Sequence, residues 1–146
     1  MNFSAFATRG AYTINASFAG NSTLAASSSN TPTVNVYQRT SLVFSGGTGA
    51  QGSPIALSAT LTAVPGDAPI SGETVNFDYS SVIAAQNGTT NGSGVATVSA
   101  TFPLAGVYPA TASFSNLAGF YADSAGNLLP TTATANVTVN AAPTLG

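Results

Sequence analysis

The stretch Phe102-Pro103-Leu104-Ala105-Gly106-Val107-Tyr108-Pro109-Ala110-Thr111-Ala112-Ser113-Phe114 has a counterpart near the start of the chain. Residues 6–18 read Phe6-Ala7-Thr8-Arg9-Gly10-Ala11-Tyr12-Thr13-Ile14-Asn15-Ala16-Ser17-Phe18, so Phe, Gly, Tyr and the run Ala-Ser-Phe recur 96 residues apart. The match continues more loosely, with Ala25-Ala26-Ser27 against Tyr121-Ala122-Asp123-Ser124. Thr33-Val34-Asn35-Val36 likewise matches Asn136-Val137-Thr138-Val139. A self-match at a fixed period is the signature of repeated structural units, and this period suits one small β domain rather than a solenoid turn. The expected organisation is residues 1–38 as the C-terminal part of a preceding repeat, 39–139 as one complete repeat, and 140–146 as a linker.

Working outward from that stretch, apolar and polar residues alternate with period two, and no segment carries a helical period. Ser41–Phe44 reads as a first strand, closed by Gly46-Gly47. Ile55, Leu57, Ala59, Leu61 and Ala63 alternate with polar or small residues in a second, ended by Val64-Pro65-Gly66-Asp67. Val75, Phe77 and Tyr79 mark a third, and Val82–Ala85 a short fourth. Asn87-Gly88 and Asn91-Gly92 favour left-handed backbone and read as a tight reversal. Ala96, Val98, Ala100 and Phe102 point one way in a fifth strand. Tyr108, Ala110, Ala112 and Phe114 form a sixth, and Ala133, Ala135, Val137 and Val139 a seventh, after a long loop over 115–131. The fold expected is all-β: a seven-stranded antiparallel immunoglobulin-like sandwich preceded by a two-stranded partial repeat. Its core should centre on Phe44, Leu57, Leu61, Phe77, Val98, Phe102, Phe114 and Val137, with odd-numbered side chains of 55–63 and even-numbered ones of 96–102 turned inward.

Composition removes several classes of function. Charged residues are 4% of the chain, against roughly a quarter in ordinary globular proteins. They are Arg9, Arg39, Asp67, Glu73, Asp78 and Asp123, and there is no Lys, His or Cys. Two arginines make no basic patch for phosphates, so nucleic acid is not an expected partner. Without His or Cys the commonest general base, thiol nucleophile and soft metal ligands are missing. No apolar run approaches the roughly 20 residues of a membrane span. The opening Met1–Phe6 lacks the basic segment of a signal peptide. Hydrophobic content of 44% still provides for a buried core.

Nothing in the spacing gathers the four acids. Calcium takes roughly six or more oxygens and a glycosidase needs two facing carboxyls, so the acids read as solvated surface groups. No catalytic, cofactor or metal residue is expected. Six Asn-x-Ser/Thr sequons, at Asn2, Asn15, Asn21, Asn87, Asn91 and Asn136, read as by-products of an Asn/Ser/Thr-rich chain.

Three segments together resemble the bacterial immunoglobulin-like repeats of large surface and exported proteins. They are Gly72-Glu73-Thr74-Val75-Asn76-Phe77, Asn91-Gly92-Ser93-Gly94-Val95-Ala96-Thr97, and Gly106-Val107-Tyr108 leading to Ala112-Ser113-Phe114. Gly10-Ala11-Tyr12 and Ala16–Asn21 resemble the end of the same repeat. The resemblance implies a non-catalytic, extracellular, structural or adhesive segment at a cell surface or on a viral particle. Its partners would be neighbouring repeats or other copies of itself. Two alternatives stand beside it: a self-assembling filament or particle-decoration subunit joined by strand complementation through residues 1–38, and a carbohydrate- or receptor-binding module facing a glycan or cell-surface ligand. An acidic residue often stands in that family where this chain has Asn21, so no calcium site is expected there. Isopeptide cross-links used by some such sandwiches require Lys, which is absent.

Two tyrosines and a hairpin are singled out as structural or contact residues. Tyr108, two residues after Gly106, stands where sandwich domains place a tyrosine corner; the alternative is an ordinary half-buried strand tyrosine. Tyr12 is its counterpart. A lone two-stranded hairpin is marginal in water, so the apolar face of 1–38 (Tyr12, Ile14, Phe18, Val34 and Val36, with Ala16) requires a cover. That cover could come from the same chain, a longer array or another subunit.

Overall fold

A computed structural model describes residues 6–145; Met1–Ala5, with the Asn2 sequon, and Gly146 lie outside the described residues. Among the described residues there is no helix. The strands are β1 (Gly10–Thr13), β2 (Ser17–Phe18), β3 (Ser27–Ser28), β4 (Thr33–Val36), β5 (Gln38–Phe44), β6 (Gly47–Ala50) and β7 (Pro54–Val64). They continue with β8 (Thr74–Asp78), β9 (Gln86–Thr89), β10 (Val95–Thr101), β11 (Gly106–Phe114), β12 (Tyr121–Ala122) and β13 (Thr131–Asn140).

Two sheets face each other in a β-sandwich-like arrangement. One has the order β10-β7-β5-β12, the other β6-β13-β11-β8-β9. Register follows the alternation: Val98 sits opposite Leu57 and Leu42 opposite Leu61. A one-residue slip would turn Ser and Thr inward, so one register wins. Edge-on aromatic pairs join the layers, Phe44 with Phe77 at 5.7 Å and Tyr79 with Phe102 at 5.6 Å between centroids. Among the described residues, every buried apolar side chain lies between Leu42 and Val139.

Several local expectations are corrected. Val82–Ala85 is not a strand: Asp78 caps the Ser80 amide at 2.7 Å, and Ser80 and Ser81 take positive φ, which ends the extended run. The fourth strand starts at Gln86 instead, so Asn87-Gly88 lies in a strand rather than a turn. Gly88 is needed because a Cβ there would press on the Thr97 backbone at 3.1 Å. The reversal belongs to Asn91, whose side-chain oxygen accepts from the Ser93 and Val95 amides. The loop over 115–131 contains a strand, since Tyr121 and Ala122 pair in parallel with Gln38 and Arg39. The ladder is therefore not wholly antiparallel, and β6 also runs parallel to β13. Ahead of the sandwich, residues 10–18 do not form one continuous strand: β1 ends at Thr13 and β2 covers only Ser17–Phe18.

The second parallel pairing arises because the first strand changes sheets at Gly46. Its φ of 72° lies in the left-handed region, and a Cβ would run into the Asn136 carbonyl. Pro109 is accommodated within β11 for a related reason. Its carbonyl accepts from Ser80 Oγ, and N and O of one strand residue point the same way. The missing donor thus faces the β8 side, where pairing begins only at Thr111.

Gly46→Ala should lower unfolding free energy by more than about 3 kcal/mol, combining left-handed strain with a backbone clash. Gly52 has φ of 71° and nothing within 4 Å of a new Cβ. Gly52→Ala should therefore cost only about 1–2 kcal/mol of strain. Urea titration of both variants measures the difference, and equal costs would contradict the sheet-switch account.

Burial pushes the Tyr79 hydroxyl up to about 12, and its O–H donates to Gln86 Oε1 at 2.9 Å. An unfolded tyrosine ionises near ~10. The native state therefore holds this proton more tightly, and stability falls as pH rises from about 10 towards 12. Melting curves across that window should show a smaller decline for Tyr79→Phe than for the parent chain. Superimposable profiles would count against it.

Candidate interaction surface

The Tyr108 hydroxyl donates to the Leu104 carbonyl at 2.8 Å, and its ring stacks on Phe102 at 4.9 Å. Phe77, Phe102, Leu57 and Leu61 are almost wholly buried, with Phe114 and Val98 close behind, in one cluster that Tyr108 borders. Phe114 meets Tyr121 edge-on at 5.3 Å.

The same constellation occurs a second time. The Tyr12 hydroxyl donates to the Thr8 carbonyl at 2.7 Å, again four residues upstream, and its ring stacks on Phe6 at 4.4 Å. The hairpin register also repeats: Gly10 faces Val36 and Tyr12 faces Val34, as Gly106 faces Val139 and Tyr108 faces Val137. What differs is the cover. Phe114 is 2% exposed, whereas its counterpart Phe18 is 43% exposed. Tyr12, Ile14, Val34 and Val36 are half-buried, and no residue before Thr40 is fully buried among those described.

Among the described residues, Arg9 at the start of the hairpin reaches the sandwich. The Arg9 Nε–H donates to the Gly119 carbonyl at 2.8 Å, and its guanidinium carbon lies 4.2 Å from the Tyr121 ring centroid. Burial pushes the Tyr121 hydroxyl up, and the Arg9 charge pulls it partly back. Asn116 shapes this loop, accepting from the Gly119 amide and donating to Glu73 Oε2 at 2.9 Å. The strand that follows the hairpin is gripped by the same loop. The Gln38 amide donates to the Phe120 carbonyl, and Tyr37 packs on Phe120 at 5.6 Å. Below them the Thr40 hydroxyl, fully buried, donates to the Ala122 carbonyl and accepts from Thr131 Oγ1.

Sequence reasoning placed the apolar hairpin residues but missed Arg9, Asn116 and Thr40. For Arg9 a signal existed: it is one of two cations in the chain, and its counterpart 96 residues on is Ala105. Thr40 and Asn116 carry no pattern that distinguishes them from the other polar residues.

The acids are dispersed. Asp78 caps Ser80, and Asp123 accepts from the Ala125 and Asn127 amides, bonds that hold its carboxyl below the ordinary range. Among the described residues no three potential metal ligands come together. Asn21 accepts from the Thr23 and Leu24 amides and so fastens a turn. No protein-family model matches the chain, and no curated protein matches it.

Arg9→Ala should loosen the hairpin without moving the sandwich's unfolding midpoint, because every buried core residue lies outside it. Tyr108→Phe should lower that midpoint, costing about 0.5–1.5 kcal/mol for one hydrogen bond. Amide exchange at β1 and urea unfolding distinguish the two effects. A midpoint loss for Arg9→Ala equal to that for Tyr108→Phe would contradict the assignment.

Proposed function

We propose that this chain is a non-catalytic structural segment of an array of immunoglobulin-like repeats, of the kind found in bacterial-type exported and cell-surface proteins. The observation that carries the reading is the duplicated corner: the same tyrosine-to-carbonyl bond on the same hairpin register, 96 residues apart. Strand order adds support. On this reading β5, β7 and β10 would be strands A, B and E of an immunoglobulin-like sandwich. The order β13, β11, β8 and β9 would then be G, F, C and C′, with β6 a continuation of A. The tyrosine falls near the start of F, bonded back into the E–F corner. With no His, Cys or Lys, and with Asp78 and Asp123 engaged as turn caps, the polar surface offers hydrogen bonding rather than chemistry.

One observation favours a second reading, a filament or particle-decoration subunit joined through residues 1–38. Phe6, Phe18 and Leu24 are exposed on or beside an open hairpin, and open strand edges invite pairing with another chain. A glycan- or receptor-binding module is disfavoured by the loop aromatics: Tyr121 is 4% exposed and Phe120 packs on Tyr37.

Light scattering over a wide concentration range separates the first two readings. The array segment should remain a monodisperse monomer, and so should residues 39–146 alone. Concentration-dependent growth that disappears when residues 1–38 are removed would replace the array reading with the filament.

A further inference from the structure

We propose that the face of the hairpin over residues 10–36 is a docking surface for an incomplete sandwich of this same sequence type, the counterpart of residues 38–101. The hairpin would complete that unit by supplying its last two strands. The proposal rests on the repeat reading above and adds what the hairpin binds.

The chain itself displays the complement. In the complete repeat the equivalent hairpin is flanked by β8, which pairs with Thr111–Ser113, and by β6, which pairs with Val137–Asn140. Its inner face is roofed by the sheet holding Phe44, Leu57, Leu61 and Val98. All of these elements come from residues 38–101. The hairpin of residues 10–36 shares the tyrosine corner and the register but has neither flank nor roof.

Where those elements are missing the ladder is interrupted, with the Ile14 amide still donating to the Pro32 carbonyl and β2 still pairing with β3. β11 runs unbroken from Gly106 to Phe114, yet its counterpart is interrupted at residues 14–16 between β1 and β2. The Ala16 amide, whose counterpart Ala112 lies in the stretch paired with β8, turns to Ser29 Oγ at 3.0 Å. An open depression of about 400 Å³ is lined by Ala16, Ser17 and Phe18, the equivalents of Ala112, Ser113 and Phe114, together with Ser27, Ser28 and Ser29 of the facing strand.

Two hairpins docked face to face would cover the apolar side chains but leave both strand edges of each unpaired. An incomplete sandwich satisfies face and edges together, which decides the choice of occupant. One residue also indicates that the occupant is a relative of residues 38–101 rather than a duplicate. Ile14 stands where the complete repeat has Ala110, a buried residue in a filled core. The larger side chain requires a smaller one opposite, since overpacking is itself destabilising.

The test is a longer chain in which residues 38–101 take the place of residues 1–5 ahead of Phe6, keeping the 96-residue period. A companion carries Ile14→Ala, which removes the size conflict. Hydrogen exchange by NMR reads the Asn15, Ala16 and Ser17 amides. They should exchange at least about a thousandfold more slowly than in the unextended chain, because they would then open with a cooperative unit instead of a frayed hairpin. Tyr12→Phe should lower the midpoint of the new unit as Tyr108→Phe lowers that of the existing one. If the companion's amides at 15–17 exchange as fast as in the unextended chain, while β11 stays protected and the unextended chain is monomeric, the occupant is wrong and the array reading survives. Concentration-dependent assembly of the unextended chain, with those amides becoming protected, makes a second copy the occupant and overturns both.

Discussion

A two-stranded ladder cannot bury its own apolar face, and this chain contains the same ladder twice, once covered and once open. In the covered copy β11 and β13 pair at nine successive positions. In the open copy four positions pair around the tyrosine corner, and after an interruption at residues 14–16 only two more follow, Ser17 with Ser28 and Phe18 with Ser27. The corner bond is local, spanning four residues, so it forms in both copies regardless of what surrounds them. Extension beyond it depends on neighbouring strands and on an opposing sheet. Each large side chain left in water forgoes roughly 1.5–3 kcal/mol, while a strand residue still loses about 1–2 kcal/mol of backbone entropy on ordering. Burial decides which residues stay ordered.

The same constraint organises the rest of the sandwich. Alternation in β7 and β10 sets which face meets the core, and the register that places Val98 opposite Leu57 follows. The edge of the second sheet is then closed from within the chain, because Gly46 lets the first strand leave β7 and run along β13. A strand that serves both sheets ties the layers together and covers the edge of β13 over Val137–Asn140. Pairing between Tyr121–Ala122 and Gln38–Arg39 does the same for the first sheet, and it brings loop 115–130 against the strand that leaves the hairpin.

The long strands were legible because period two is explicit in Ile55–Ala63 and Ala96–Phe102, and the duplicated corner motif was legible because Phe, Gly and Tyr keep their spacing. Legibility ended where backbone conformation outranks pattern. Val82-Ile83-Ala84-Ala85 has the composition of a strand, yet Asp78 captures the Ser80 amide and two positive φ values end the extended run. Asn87-Gly88 has the composition of a turn, yet in β9 it pairs with Val75 and Asn76, where the Thr97 backbone comes close enough to favour glycine. Tyr121-Ala122 is too short for periodicity to register, and its partner lies more than 80 residues away. Of the interaction surface, the apolar residues were readable from alternation. The Arg9 contact depends on a carbonyl 110 residues distant, which no local pattern encodes.

A chain with six charges has little long-range electrostatics with which to orient its parts. Orientation between hairpin and sandwich must therefore come from short-range contacts, and those present share one loop. Arg9 bonds to Gly119 and lies over Tyr121, Tyr37 packs on Phe120, and Gln38 bonds to Phe120. That loop is itself held by Asn116, through Glu73, to the strand region beneath it. A guanidinium suits this position because it donates along its plane while its face rests on an aromatic ring, a combination an ammonium does not offer. Since Ala105 replaces it one period later, the contact distinguishes this junction from any built by the second copy of the motif. Identity between repeats thus supplies the strands, and the departure from identity at Arg9 supplies the orientation.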